Sequence, residues 1–137
     1  MEQAQTGYES QLLPADQVSS EAARLPITEI ASFLRQHLGG TTTAYISGVN
    51  DPKMVTRWIA GRSTPRPQPQ SRLRESYQAA RLLVSMYGDE TARAWFNGSN
   101  PTLDDQAPAY VLRKARNWEE LRLIVPAARA FVGGKAH

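Results

Sequence analysis

The sequence contains no cysteine, which excludes disulfide frameworks, thiolate metal sites and cysteine nucleophiles together. Its two histidines are His37 and the terminal His137, too few for a histidine-rich metal site, so no metal is expected. No apolar run approaches the roughly 18 residues that cross a bilayer, and no membrane association is expected. The opening stretch, MEQAQTGYESQLLPADQ, has no basic segment leading into an apolar one, so no secretory signal is expected. A cytoplasmic location fits these absences. Catalytic patterns are missing too: there is no Gly-rich phosphate loop, nucleophile elbow or metal-ligand spacing. The acidic pairs Asp104-Asp105 and Glu119-Glu120 are adjacent, and neighbouring side chains on a helix point apart. Neither enzymatic activity nor a cofactor is expected.

What remains is enough for one ordinary globular unit: 137 residues, 41% hydrophobic and 21% charged. The net charge of +3 conceals an uneven distribution. Residues 1–30 carry five acids and one base, whereas residues 53–81 hold seven bases against Glu75 alone. Those bases are Lys53, Arg57, Arg62, Arg66, Arg72, Arg74 and Arg81. Thirteen of the sixteen bases in the chain are arginine, whose rigid fork suits phosphates and guanine edges. A GC-rich genome accounts for scattered arginines such as Arg93 and Arg129; composition bias does not account for a cluster.

The periodicity is helical throughout, with no alternating β-branched run, and the fold class expected is all-α. The first dozen residues read as disordered, and a short helix is expected after Pro14, with Val18, Ala22 and Leu25 on one side and Pro26 closing it. Ile27, Ile30, Ala31, Leu34 and Leu38 form the apolar stripe of the next helix, ended by Gly39-Gly40. A short helix over Thr41–Ile46 and a break at Gly48-Val49-Asn50 precede Asp51-Pro52, a capping side chain followed by a proline suited to the first helical position. That helix runs from Lys53 to Ala60 and stops at Gly61. Ser63 to Pro69, with three prolines at alternate positions, reads as an extended basic connector. The longest helix is expected over Ser71–Tyr87, with Leu73, Tyr77, Ala80, Leu83, Val84 and Tyr87 as its stripe. Gly88 breaks it and Asp89 is expected to cap the next, which ends at Trp95-Phe96. Pro108 opens a helix whose Val111 and Leu112 bury, and Asn117 caps a last helix, Trp118–Val132, that Pro126 should kink or split.

The stretch 41–61 has the layout of a helix-turn-helix DNA reader. Val55, Trp58 and Ile59 would pack inward, which turns Lys53, Met54, Thr56 and Arg57 outward. Arginine and lysine reach guanine acceptors or phosphates, and threonine can meet a thymine methyl. Arg62, Arg66, Arg72 and Arg74 would then line the phosphate backbone. The bland alternative is a surface helix that happens to carry two bases. Trp58 reads as core, since it shares a face with Val55 and Ile59; stacking on a base is the alternative. His37 falls in a last helical turn, where a cation favours the dipole.

In the second half, Trp95-Phe96 anchors a compact helical unit, Asn100-Pro101-Thr102-Leu103 makes a turn that plugs the core with its leucine, and Gly133-Gly134 ends the last helix. A helical core alone explains these residues. Yet the order of helix-turn-helix, linking helix, Trp95, Asn100-Pro101-x-Leu103, Pro108-x-x-x-Leu112 and terminal helix resembles antitoxins of the Xre/MbcA/ParS type, over about residues 27–134. Asp104-Asp105-Gln106 stands where that family usually has a glycine, and Arg116 replaces another. The resemblance implies a helix-turn-helix DNA-binding bundle followed by a small helical toxin-binding domain. The divisions would be a flexible segment 1–25, an Xre-like region 26–70, a linking helix with toxin-binding and dimerisation domain 71–134, and a tail 135–137. It further implies the antitoxin of a type II toxin–antitoxin pair, a cognate RES-domain toxin that depletes NAD, a homodimer, and repression of its own operon through double-stranded operator DNA. Asn100, Pro101, Leu103 and Pro108 match the toxin-binding pattern. Anchors expected on the last helix are Arg122, Arg129, Phe131 and Val132, with Lys135 and His137 in reach, on an interface of the order of 800 Å² per partner. The alternative for Phe131 and Val132 is closure of the core. The alternative for the whole is a stand-alone Xre-type transcriptional repressor whose C-terminal half only dimerises.

Overall fold

A 21-residue helix runs through the middle of the described residues, and most of the other elements pack against it. The computed structural model describes residues 15–133; the disorder expected for the first dozen residues, the helix start at Pro14 and the tail residues Lys135 and His137 lie outside them. The described elements are α1 (Ala15–Arg24), α2 (Ile27–Leu38), α3 (Gly40–Ser47), α4 (Pro52–Ile59), α5 (Pro67–Tyr87), α6 (Asp89–Asn97), a 3-10 turn (Pro101–Leu103), α7 (Pro108–Lys114), α8 (Trp118–Leu121) and α9 (Ile124–Gly133). No strand occurs among the described residues, only a single bridge between Asn100 and Gln106. None of these helices is long and apolar enough to cross a membrane.

The central helix, α5, is covered by α1, α2, α3, α6 and α9. Leu73, Tyr77, Ala79, Ala80 and Leu83 are buried along it, so its apolar surface is wider than a single stripe. Tyr87, expected to complete that stripe, is instead 46% exposed, because the core ends before the helix does. The helix also begins four residues earlier than expected. Pro67 and Pro69 occupy its first turn, where a missing N–H costs nothing because those amides have no partner within the helix. Only Ser63–Arg66 remain as connector.

Elsewhere the sequence signals operate as physics requires. Ile30, Ala31, Leu34 and Leu38 bury on α2. Val18 and Ala22 bury on α1, which Arg74 ties to α5 by donating from Nη1 to Ala22 O at 2.7 Å and Leu25 O at 2.9 Å. Asp89 does not cap α6. It is the first residue of that helix, and its carboxylate accepts from His37 Nδ1 at 2.7 Å, which fastens the end of α2 to α6.

The last helix is interrupted, but at Arg122-Leu123 and not at Pro126. Pro126 lies in the first turn of α9, again a place that tolerates it. Asn117 caps α8 as expected, accepting from the Glu120 amide at 3.0 Å. The buried apolar residues of α1 through α9 form one continuous cluster, in which Trp58, Phe96, Ile30, Leu34 and Leu112 are among the largest fully enclosed side chains.

Candidate functional site

The pair α3 and α4 is joined by four residues, Gly48–Asp51, and both of its helix ends follow directly from sequence. Gly48 has φ +98°, and its amide and that of Val49 donate back to Tyr45 O and Ala44 O. Gly61 has φ +74°, and its amide and that of Arg62 donate to Trp58 O and Arg57 O. Both are Schellman closures, which need a left-handed residue after the last helical one. Asp51 starts α4 by accepting from the Lys53 amide at 3.0 Å, with Pro52 at the first helical position.

On α4, Val55 and Trp58 are buried, Trp58 to 2% exposure, and Ile59 is half-buried against the same core. Lys53, Thr56 and Arg57 face solvent on the opposite side. Met54 does not join them: it flanks the two faces and packs, half-buried, against the core. Thr56 Oγ1 accepts from Arg35 Nη1 at 3.3 Å, which adds a basic residue of α2 to the exposed side of α4.

The basic block of residues 53–81 divides into two sets. Arg72, Arg74 and Arg81 are engaged within the protein. Arg74 holds α1, and Arg81 Nε lies 3.4 Å from Glu21 Oε1. Arg72, expected to line a phosphate backbone, is only 8% exposed. Its Nη1 donates to Ser47 O at 3.0 Å and its Nη2 to Ala115 O at 2.7 Å. Burial first, and then the charge of Arg113, hold its guanidinium below the ordinary arginine value. It is therefore a structural side chain, not one facing a ligand. By contrast, Lys53, Arg57, Arg62 and Arg66 are exposed, and their side chains have no partner among the described residues.

In the C-terminal half, three of the residues matched to the partner-binding pattern, Asn100, Leu103 and Pro108, are inside. Leu103 is buried in the core, and Asn100 is buried with its Oδ1 accepting from Thr102 N at 2.9 Å and Thr102 Oγ1 at 2.7 Å. The turn they build is sharp, with Asp104 and Asp105 both left-handed at φ 57° and 63°. Aspartate tolerates that region better than most residues. Pro101 is exposed on the same turn, and Arg122, Arg129 and Phe131 are exposed on the α8–α9 side. Val132 is half-buried against the core. Phe131 meets the exposed Tyr87 edge-on at 5.5 Å, so an apolar patch spans the ends of α9 and α5.

Two features were not foreseen. Arg113, on α7, reaches the α3–α4 turn, and Glu75 is buried with its carboxyl pushed up to about 7 by loss of solvent, opposed by the charge of Arg129. Among the described residues no group of three acidic or histidine side chains could hold a metal ion. No family model matches the chain, and no curated protein matches it either.

Proposed function

We propose that this protein is a DNA-binding regulator, the antitoxin half of a type II toxin–antitoxin pair, with α3 and α4 acting as its helix-turn-helix. The observation that carries this reading is the group of four exposed cations, Lys53, Arg57, Arg62 and Arg66, whose side chains have no hydrogen-bond or ion-pair partner among the described residues, while Arg72, Arg74 and Arg81 are engaged. Free cations on one helix face and the loop after it repel one another, and a duplex backbone relieves that repulsion. Lys53 and Arg57 reach base edges or phosphates in the major groove, Thr56 meets a base, and Arg62 and Arg66 hold the flanking backbone. A homodimer would present α4 twice to an operator with two half-sites.

The toxin-facing surface in this reading is the C-terminal side, where Arg122, Arg129 and Phe131 are exposed beside Tyr87. Its partner is a RES-type toxin that depletes NAD, and the complex acts in the cytoplasm. The stand-alone repressor is the second reading. The Tyr87–Phe131 patch favours it equally, since a second copy of the chain covers an apolar patch as well as a toxin does.

Two measurements test the proposal. Fluorescence anisotropy with a duplex from the region upstream of this protein's own reading frame should give a log–log salt slope of about −4 per protomer if all four cations meet phosphates. The double variant Lys53→Ala/Arg57→Ala should weaken binding and flatten that slope by about 2. A salt-independent interaction, or none, ends the DNA reading. Co-expression with the adjacent reading frame separates the two versions. Rescue of growth from a toxic neighbour, retained by the double variant, supports the antitoxin. A harmless neighbour, or failure to rescue, leaves the repressor alone.

A further inference from the structure

The α3–α4 turn is held from outside by two arginines of the C-terminal half. Arg113 donates from Nη1 to Tyr45 O at 2.9 Å and Val49 O at 3.2 Å, and from Nη2 to Asn50 Oδ1 at 2.8 Å. Its guanidinium also lies over the Tyr45 ring, 4.8 Å from the centroid. Arg72 grips the other side of the turn, bridging Ser47 O to Ala115 O at the end of α7. Two carbonyls in the last turn of α3, Tyr45 O and Ser47 O, and the Val49 carbonyl of the turn after it thereby accept from guanidinium groups. Carbonyls in a last turn have no partner within their own helix, and the partial negative charge there favours cations. Arg72 approaches so closely that a Cβ on Gly48 would lie 2.4 Å from its Nη1.

This arrangement is more than a local cap. Arg113 lies 64 residues beyond Val49 in the chain, and α7 packs along α3. A planar fork with three acceptors and one aromatic face fixes position and angle together, which a lysine cannot do. We infer that Arg113, backed by Arg72, is a positioning residue for DNA recognition: it sets the pose of α4 by locking the turn before it, and links that pose to α7. The inference rests on the DNA-binding reading above. On it, Arg113 touches no nucleic acid. Movement of α7, by a protein docked on the C-terminal half, would be transmitted to α4 through these bonds.

The test is Arg113→Ala and Arg113→Lys in the full chain, measured against the same upstream duplex and an unrelated duplex across a range of salt. Arg113→Ala should lose about tenfold in affinity and most of its preference for the upstream duplex, while its salt slope stays that of wild type because no phosphate contact is removed. Arg113→Lys should rescue little, since charge without the fork does not restore the geometry. If Arg113→Ala loses its helical circular dichroism, Arg113→Lys decides by hydrogen exchange: faster exchange confined to residues 48–61, with α5 protected as before, is the expected result. Wild-type affinity and preference in Arg113→Ala, or a salt slope flattened towards that of Lys53→Ala/Arg57→Ala, overturns the inference while leaving DNA binding intact. Uniformly faster exchange in Arg113→Lys overturns it as well. A wild-type protein that binds no duplex overturns the reading beneath it.

Discussion

Single residues here divide by whether their charge is already committed within the protein. Glu75 is committed uncomfortably: a carboxyl held near 7 by desolvation keeps a proton in the folded state that the unfolded chain gives up near 4.5. This group therefore takes up protons on folding, and its ionisation reduces stability as pH rises from about 4.5 to about 7. Below that window Glu75→Gln and the wild type should unfold alike. At about pH 8 the variant should be the more stable, by about 2 kcal/mol after allowance for solvent screening. Urea melts at the two pH values check this; an equal gap at both would mean the carboxyl is not the cause. Two glycines give a second comparison at this scale. Gly61→Ala meets nothing within 4 Å and should cost only the left-handed backbone, about 1 kcal/mol. Gly48→Ala must also displace the Arg72 guanidinium from Ser47 O, and about 3 kcal/mol is expected from the two effects. Equal losses in the two variants would show that Arg72 moves aside without cost.

At the scale of elements, helices with a local signal at each end were readable and long-range ties were not. α4 carried its cap at Asp51, its proline at position 52 and its Schellman glycine, which all act as the chemistry implies, and an amphipathic pattern from which Met54 departs by packing against the core. The cluster at 53–81 was legible as a charge excess, but not its division. Whether an arginine such as Arg72 points into α3 or out to solvent depends on a partner 25 residues away in the chain, and no local period encodes that. Prolines misled twice for one reason: the same residue breaks a helix interior and suits a first turn, and only the true start of the helix decides. The break before α9 tests this directly. Pro126→Ala should change stability by less than about 1 kcal/mol, because the proline is in the first turn and distorts nothing. Asp51→Ala should cost about 1 kcal/mol through loss of the cap. Thermal melts followed by circular dichroism rank the two; a large gain from Pro126→Ala would mean the helix is strained after all.

At the scale of the whole molecule, the buried apolar cluster passes through every helix from α1 to α9, and α5 contributes to it on several sides. The exposed cations on α4 are thus carried by the same core that supports the C-terminal surface. That continuity has a measurable consequence. A chain with one core unfolds as one cooperative unit, so probes at opposite ends should report the same transition. Trp58 lies under α4 and Trp95 lies on α6, both buried, whereas Trp118 is 58% exposed and responds weakly to unfolding. In a Trp118→Phe background, adding Trp95→Phe leaves Trp58 as the only indole, and adding Trp58→Phe leaves Trp95. Each pair must be compared with circular dichroism on the same variant, since losing a buried indole shifts the midpoint itself. Within each variant the fluorescence and helical signals should coincide across urea. Separation of the two curves in either variant would mean that the α3–α4 region loosens independently of the C-terminal half. The arginines 72 and 113 would then join two independently melting parts, and could not transmit a displacement of α7 to α4.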